Sequence, residues 1–120
     1  MKTIAVIGWK NSGKTTLVSN LVNFFDTQNI KVGVIKHAHH SFDIDLPNTD
    51  SYKIRKSGAY KTTIVSEKRL AFIEEKKDIK IDIDELISLN SDCDLIVFEG
   101  FKKIDYLKKI EVRLKRNNKE

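Results

Sequence analysis

Gly8-Trp9-Lys10-Asn11-Ser12-Gly13-Lys14-Thr15 is the stretch on which the reading of this chain turns. Ahead of it stands a short apolar run, Ile4-Ala5-Val6-Ile7, which reads as a strand buried on both faces. Behind it, Leu17, Val18, Leu21, Val22, Phe24 and Phe25 gather on one side of a 3.6-residue wheel, predicting an amphipathic helix from Lys14 to about Asp26. The octapeptide fits G-x-x-x-x-G-K-S/T, and a strand before it with a helix after it is the context this pattern requires. Gly8 and Gly13 permit backbone angles and close approaches that a Cβ would block. The turn then aims successive N–H groups inward as an anion nest, backed by the positive end of the helix. In such a cradle Lys14 reaches the β- and γ-phosphates, the Thr15 hydroxyl ligates Mg²⁺ and Thr16 donates to the α-phosphate. The expected ligand is a nucleoside triphosphate with Mg²⁺.

Working outward, Val32-Gly33-Val34-Ile35 within residues 31–36 reads as a second strand, so strand, helix and strand form a βαβ unit with parallel pairing. Residues 41–49 are polar, acidic and proline-bearing, which predicts a loop. Asp50 is expected to cap a short helix running to about Lys56, stopped by Gly58. Tyr60 to Ser66 and Leu70 to Glu74 read as a hairpin around Glu67-Lys68-Arg69. Ile83 to Leu89 has a helical pattern, Asp94 to Gly100 a central-strand pattern, and Ile110 to Leu114 that of a last edge strand. Such an edge invites pairing with a second copy. The fold class that follows is α/β: a three-layer P-loop NTPase fold with a mainly parallel sheet and a β-hairpin insertion, in one domain over residues 1–120.

Composition narrows the rest. At 120 residues the chain suffices for one core, and 40% hydrophobic with 32% charged residues is ordinary for a globular protein. No run approaches the roughly 20 apolar residues of a membrane span, and the N-terminus lacks a signal-peptide pattern. Cys93 is the lone cysteine, which excludes an internal disulfide and suits a reducing cytoplasm. The 8 basic and 3 acidic residues after position 100 account for the whole net charge of +5. Only Phe101 and Tyr106 could stack bases there, so nucleic-acid binding is not expected.

An acidic residue ending a hydrophobic strand completes a triphosphate site, and Glu99, after Leu95-Ile96-Val97-Phe98, holds that place. Its carboxylate would hold a Mg²⁺-bound water or orient the attacking water. Asp94, at the other end of the same strand, reads as a solvated charge. All three histidines fall in Lys36-His37-Ala38-His39-His40, followed by Asp43 and Asp45. Three readings stand: a transition-metal site, a loop touching the γ-phosphate or Mg²⁺ through Asp43 or Asp45, and a plain polar loop. The second is preferred.

These blocks, in this order, resemble the molybdopterin-guanine dinucleotide biosynthesis adapter proteins (MobB). The likeness runs from Gly8 to Leu17, through Val34-Ile35-Lys36-His37, His39-His40 and Phe42-Asp43-Ile44-Asp45-Leu46-Pro47. It continues in Asp50-Ser51, Arg55, Gly58-Ala59, Asp94 to Lys102 and Lys109-Ile110-Glu111-Val112. The resemblance implies a GTP-binding protein with weak hydrolysis that assists the enzyme attaching GMP to the molybdenum-bound pterin. It also implies a cytoplasmic homodimer, with the guanylyltransferase and the molybdopterin ligand as partners. By the same carry-over His39, His40, Asp45, Arg55, Glu99, Gly100 and Lys102 line the site, beside Trp9, Lys10, Asn11 and Ser12 of the cradle. Pro47-Asn48-Thr49 departs from the family's usual Pro-Gly-Lys, Lys108 replaces a usual proline, and the family's further C-terminal elements are expected to be missing. Two other functions compete, a small-molecule kinase and a metal-delivery GTPase. A kinase lid wants arginines, and the chain has only Arg55, Arg69, Arg113 and Arg116.

Overall fold

The structure, a computed structural model, describes residues 2–8, 12–38, 42, 44–75, 80–101 and 108–112. Its elements in chain order are β1 (Lys2–Gly8), α1 (Lys14–Thr27), β2 (Val32–Lys36), α2 (Asp50–Lys56), β3 (Lys61–Val65), β4 (Leu70–Glu74), α3 (Ile83–Leu89), β5 (Leu95–Glu99) and β6 (Lys109–Val112). Internal contacts divide the chain into two compact units, Met1–His39 with Asp82–Glu120, and His40–Ile81.

The first unit is built on four strands in the order β2-β5-β1-β6, every neighbouring pair parallel. Period-two alternation sorts the side chains into two layers around this sheet. Ala5, Ile96 and Phe98 face Ile83, Leu86 and Ile87 of α3. Val6 and Val97 face Leu17, Val18, Leu21 and Val22 of α1. Residues 96 to 98 have no exposed surface at all, as a strand covered on both faces should. The three-layer arrangement with a mainly parallel sheet is therefore present. Strand pairing differs from the expectation in one respect: β5 lies between β1 and β2, so the first two strands run parallel without touching. The most apolar strand takes the most covered position.

Helix α1 ends in a Schellman turn. Asn29 takes φ 58°, and the Ile30 N–H donates to the Phe25 carbonyl at 3.0 Å. Phe24 departs from the wheel reading: it is 56% exposed and meets the Phe25 ring edge-on, while the buried stripe runs through residues 17, 18, 21 and 22. Asp94 is more than a solvated charge, since its carboxylate accepts the Lys31 N–H at 2.8 Å.

The second unit holds α2 and the expected hairpin, β3 antiparallel to β4. The Ser66 N–H donates to the Arg69 carbonyl across the turn, at 2.8 Å. The cap of α2 falls one residue earlier than expected. Thr49 is extended (φ −77°, ψ 163°) and accepts from the Tyr52 N–H, whereas Asp50 is already helical and meets the dipole in the first turn. No helix among the described residues is long and apolar enough to cross a membrane.

Candidate functional site

The bend from β1 into α1 is shaped by what glycine lacks. A Cβ at Gly8 would stand 2.6 Å from the Val112 carbonyl oxygen and 2.7 Å from Ser12 Oγ, so strand β6 closes the back of the loop. Gly13 takes φ 101°, ψ 11°, a left-handed conformation that turns the chain into the helix. Val112 Cγ1 would lie 3.7 Å from a Cβ there as well.

Helix α1 then begins without a side-chain cap and without an acidic residue in its first turn. Its leading N–H groups lack the partner that a capping oxygen would supply, and the positive end of the dipole is left uncompensated. The Ser12 hydroxyl is 95% buried with no hydrogen-bond partner among the described residues. A buried hydroxyl in that state costs about 1–3 kcal/mol. A cavity of about 330 Å³ opens here, lined by Gly13, Lys14, Thr15 and Thr16. Backbone donors, a lysine, two hydroxyls and a buried unsatisfied hydroxyl fit an anion of phosphate type. A larger hollow of about 750 Å³ lies elsewhere, between α1 and β2. Its lining mixes Val18 and Val22 with Ser19 and Asn23 and runs to Asp26 and Asn29 at the C-terminal, negative end of α1, so an anion is favoured in the smaller one.

Glu99 reaches the same place through the register. It pairs with Val6 on β1 and Lys36 on β2, and Val6 packs on the α1 side, so all three side chains share that face. Glu99 is 8% exposed. Its Oε2 accepts from Lys36 Nζ at 2.7 Å and its Oε1 lies 3.9 Å from Lys14 Nζ. One buried carboxylate is thus shared, unequally, by two ammonium groups. Directly after it Gly100 and Phe101 both have positive φ, 95° and 63°. For a phenylalanine this is strained. The ring is held at 5.3 Å from Phe98, edge-on, and at 4.9 Å from the His37 ring, while the Gly100 N–H is committed to the Val6 carbonyl.

Of the expected site residues, Gly8, Ser12, Gly13, Lys14, Thr15, Thr16, Glu99 and Gly100 lie in the first unit, and Lys14 and Glu99 meet there. Trp9, Lys10, Asn11, His39, His40, Asp43 and Lys102 lie outside the described residues. Asp45 and Arg55 belong to the second unit. There Asp45, at φ 98°, accepts from the Ser51 hydroxyl at 2.6 Å. Arg55, 6% exposed, donates to the Ile44 carbonyl at 2.7 Å and faces Glu75 at 3.6 Å. The residue that sequence reasoning left without a role is Lys36. Its signals were a charge at the last position of a strand otherwise apolar but for Gly33, and a place in the Val34-Ile35-Lys36-His37 block of the family likeness.

Comparisons with known proteins bear on the whole chain. The family model described as molybdopterin guanine dinucleotide synthesis protein B matches residues 3–120. A protein of Escherichia coli (strain K12) named molybdopterin-guanine dinucleotide biosynthesis adapter protein is 41% identical over 102 residues, 82% of this chain and 58% of its own. A protein of the same name from Haemophilus influenzae is 31% identical over 101 residues, 83% of this chain and 57% of its own. The chain therefore spans somewhat under three-fifths of the length of these curated relatives. The crystal structure of Bacillus subtilis MobB shares the fold, with a TM-score of 0.78 at 24% identity over 93% of this chain and 68% of that one.

Proposed function

The chain belongs to the molybdopterin guanine dinucleotide synthesis protein B family, and from that premise we propose that it is a GTP-binding adapter in the assembly of molybdopterin guanine dinucleotide. It binds GTP with Mg²⁺ at the start of α1, hydrolyses it slowly, and serves a cytoplasmic guanylyltransferase that handles the molybdopterin ligand. The observation that carries this reading is the bare N-terminus of α1, with Lys14 in its first turn and the buried, unsatisfied Ser12 hydroxyl beside it.

Lys14 places a point charge on the terminal phosphates, and the N–H groups around Gly13 receive the β-phosphate. The Thr15 hydroxyl and the Glu99 carboxylate are hard oxygen donors of the kind Mg²⁺ takes, the second through a water. When bound, Mg²⁺ neutralises charge on the phosphate oxygens. Glu99 accepts a hydrogen bond from the attacking water and orients it toward the γ-phosphorus. Asp45 and Arg55, brought by the family likeness, serve the loop of the second unit. A homodimer is supported by the edge place of β6 among the described strands and by the apolar hairpin, where Val65 is 72% and Leu70 66% exposed.

The test is calorimetric titration with non-hydrolysable analogues of GTP and ATP in Mg²⁺. Preference for the guanine analogue by at least about tenfold, a discrimination of ~1.4 kcal/mol, is the expected result. Equal binding would leave a triphosphate site and remove the guanine assignment, and no binding would remove both.

A further inference from the structure

We propose that Lys36 is a positioning residue of this site, a counter-ion that holds Glu99 so that Lys14 is free to pass to the phosphates; this rests on the triphosphate reading above. The pairing is built into the sheet. Lys36 and Glu99 end adjacent parallel strands in direct register, so their side chains leave on the same face at the same height. The two lysines do not share the carboxylate equally. Lys36 makes a short charge-assisted hydrogen bond of 2.7 Å to Oε2, whereas Lys14 stands off at 3.9 Å from Oε1.

Burial makes the difference consequential. An exposed ion pair contributes little, but the Glu99 side chain is only 10% exposed, and a carboxylate in that setting left without a partner is strongly destabilising. A triphosphate arriving at α1 takes Lys14 for itself and sets negative charge beside Glu99. Without Lys36, the carboxylate would compete with the phosphates for Lys14. With Lys36 in place the exchange leaves Glu99 paired through Oε2, and Oε1, released by Lys14, becomes the acceptor available to a water. Lys36 itself is 65% exposed in its side chain, so it holds the carboxylate from the solvent side and its replacement leaves the core intact.

A double-mutant cycle separates this role from any other. Binding of a non-hydrolysable GTP analogue with Mg²⁺ is measured by calorimetry for the parent, Lys36→Met, Lys36→Arg, Glu99→Gln and Lys36→Met/Glu99→Gln proteins. The expected result is an affinity loss of about tenfold in Lys36→Met, recovery to within about threefold in Lys36→Arg, and a loss under about twofold when Lys36→Met is made in the Glu99→Gln background. Equal losses in both backgrounds would mean that Lys36 acts on the phosphates or on the fold, and would overturn the proposal while leaving the triphosphate reading intact. No loss in either background would overturn it equally. A parent that does not bind the analogue would overturn the triphosphate reading and this role together.

Discussion

Helices α1 and α3 pack on opposite faces of one sheet, yet they begin in opposite ways. At α3 the Asp82 carboxylate accepts the Asp84 and Glu85 N–H groups at 3.0 and 3.3 Å, and Asp84 and Glu85 add negative charge to the first turn. At α1 the corresponding place is taken by Gly13, which brings no side chain, and the first turn carries Lys14, Thr15 and Thr16. A side-chain cap contributes typically about 1 kcal/mol, and α1 forgoes it. A helix N-terminus therefore serves two ends: satisfied internally it is structure, and left unsatisfied it is a receptor for an anion. Gly13 and Asp82 mark which is which.

The contrast is broken most severely at Lys14. Lys14→Ala is expected to reduce analogue binding by at least about 100-fold, because the point charge on the terminal phosphates is gone. Calorimetry showing parent-like affinity would mean that the bare helix end is not the receptor. A smaller effect sharpens the contrast by dividing binding from turnover. Glu99→Gln should keep analogue affinity and lower Mg²⁺-dependent phosphate release by about tenfold or more, the scale of a group that positions or activates water. Unchanged phosphate release would remove Glu99 from the chemistry. The smallest effect belongs to α3. Asp82→Ala should cost about 1 kcal/mol, seen as a melting temperature lower by roughly 4 °C, with nucleotide affinity unaltered. A change in affinity would show that the two helix ends are not independent.

Much of this arrangement is legible in the residues because it rests on local chemistry. The stripe of Leu17, Val18, Leu21 and Val22 marks α1, the bounds of α3 coincide with the periodic run from Ile83 to Leu89, and the cradle declares itself through glycine spacing. What is hidden depends on distant pairing. Nothing in β1 or β2 says that a strand some 60 residues further on will slide between them; that order is set by covering the apolar run Ile96 to Phe98 on both sides. Lys36 is obscure for the same reason, since its partner lies 63 residues away and only the register of β2 on β5 brings them together. The one-residue error at α2 has a different origin. Thr49 and Asp50 are both good caps, and which one serves is decided by the extended backbone of Thr49.

The Val112 carbonyl behind Gly8 bears on the order of events during synthesis. A ribosome delivers the loop's rear wall roughly a hundred residues after the glycine-rich loop itself, several seconds later at about 5–20 residues per second. Until β6 docks alongside β1, the loop has its donors but nothing to brace them from behind. Competence to grip a ligand therefore arrives with the late strands, since β1 and β2 do not touch and the emerging chain has no sheet in this unit until β5 is made.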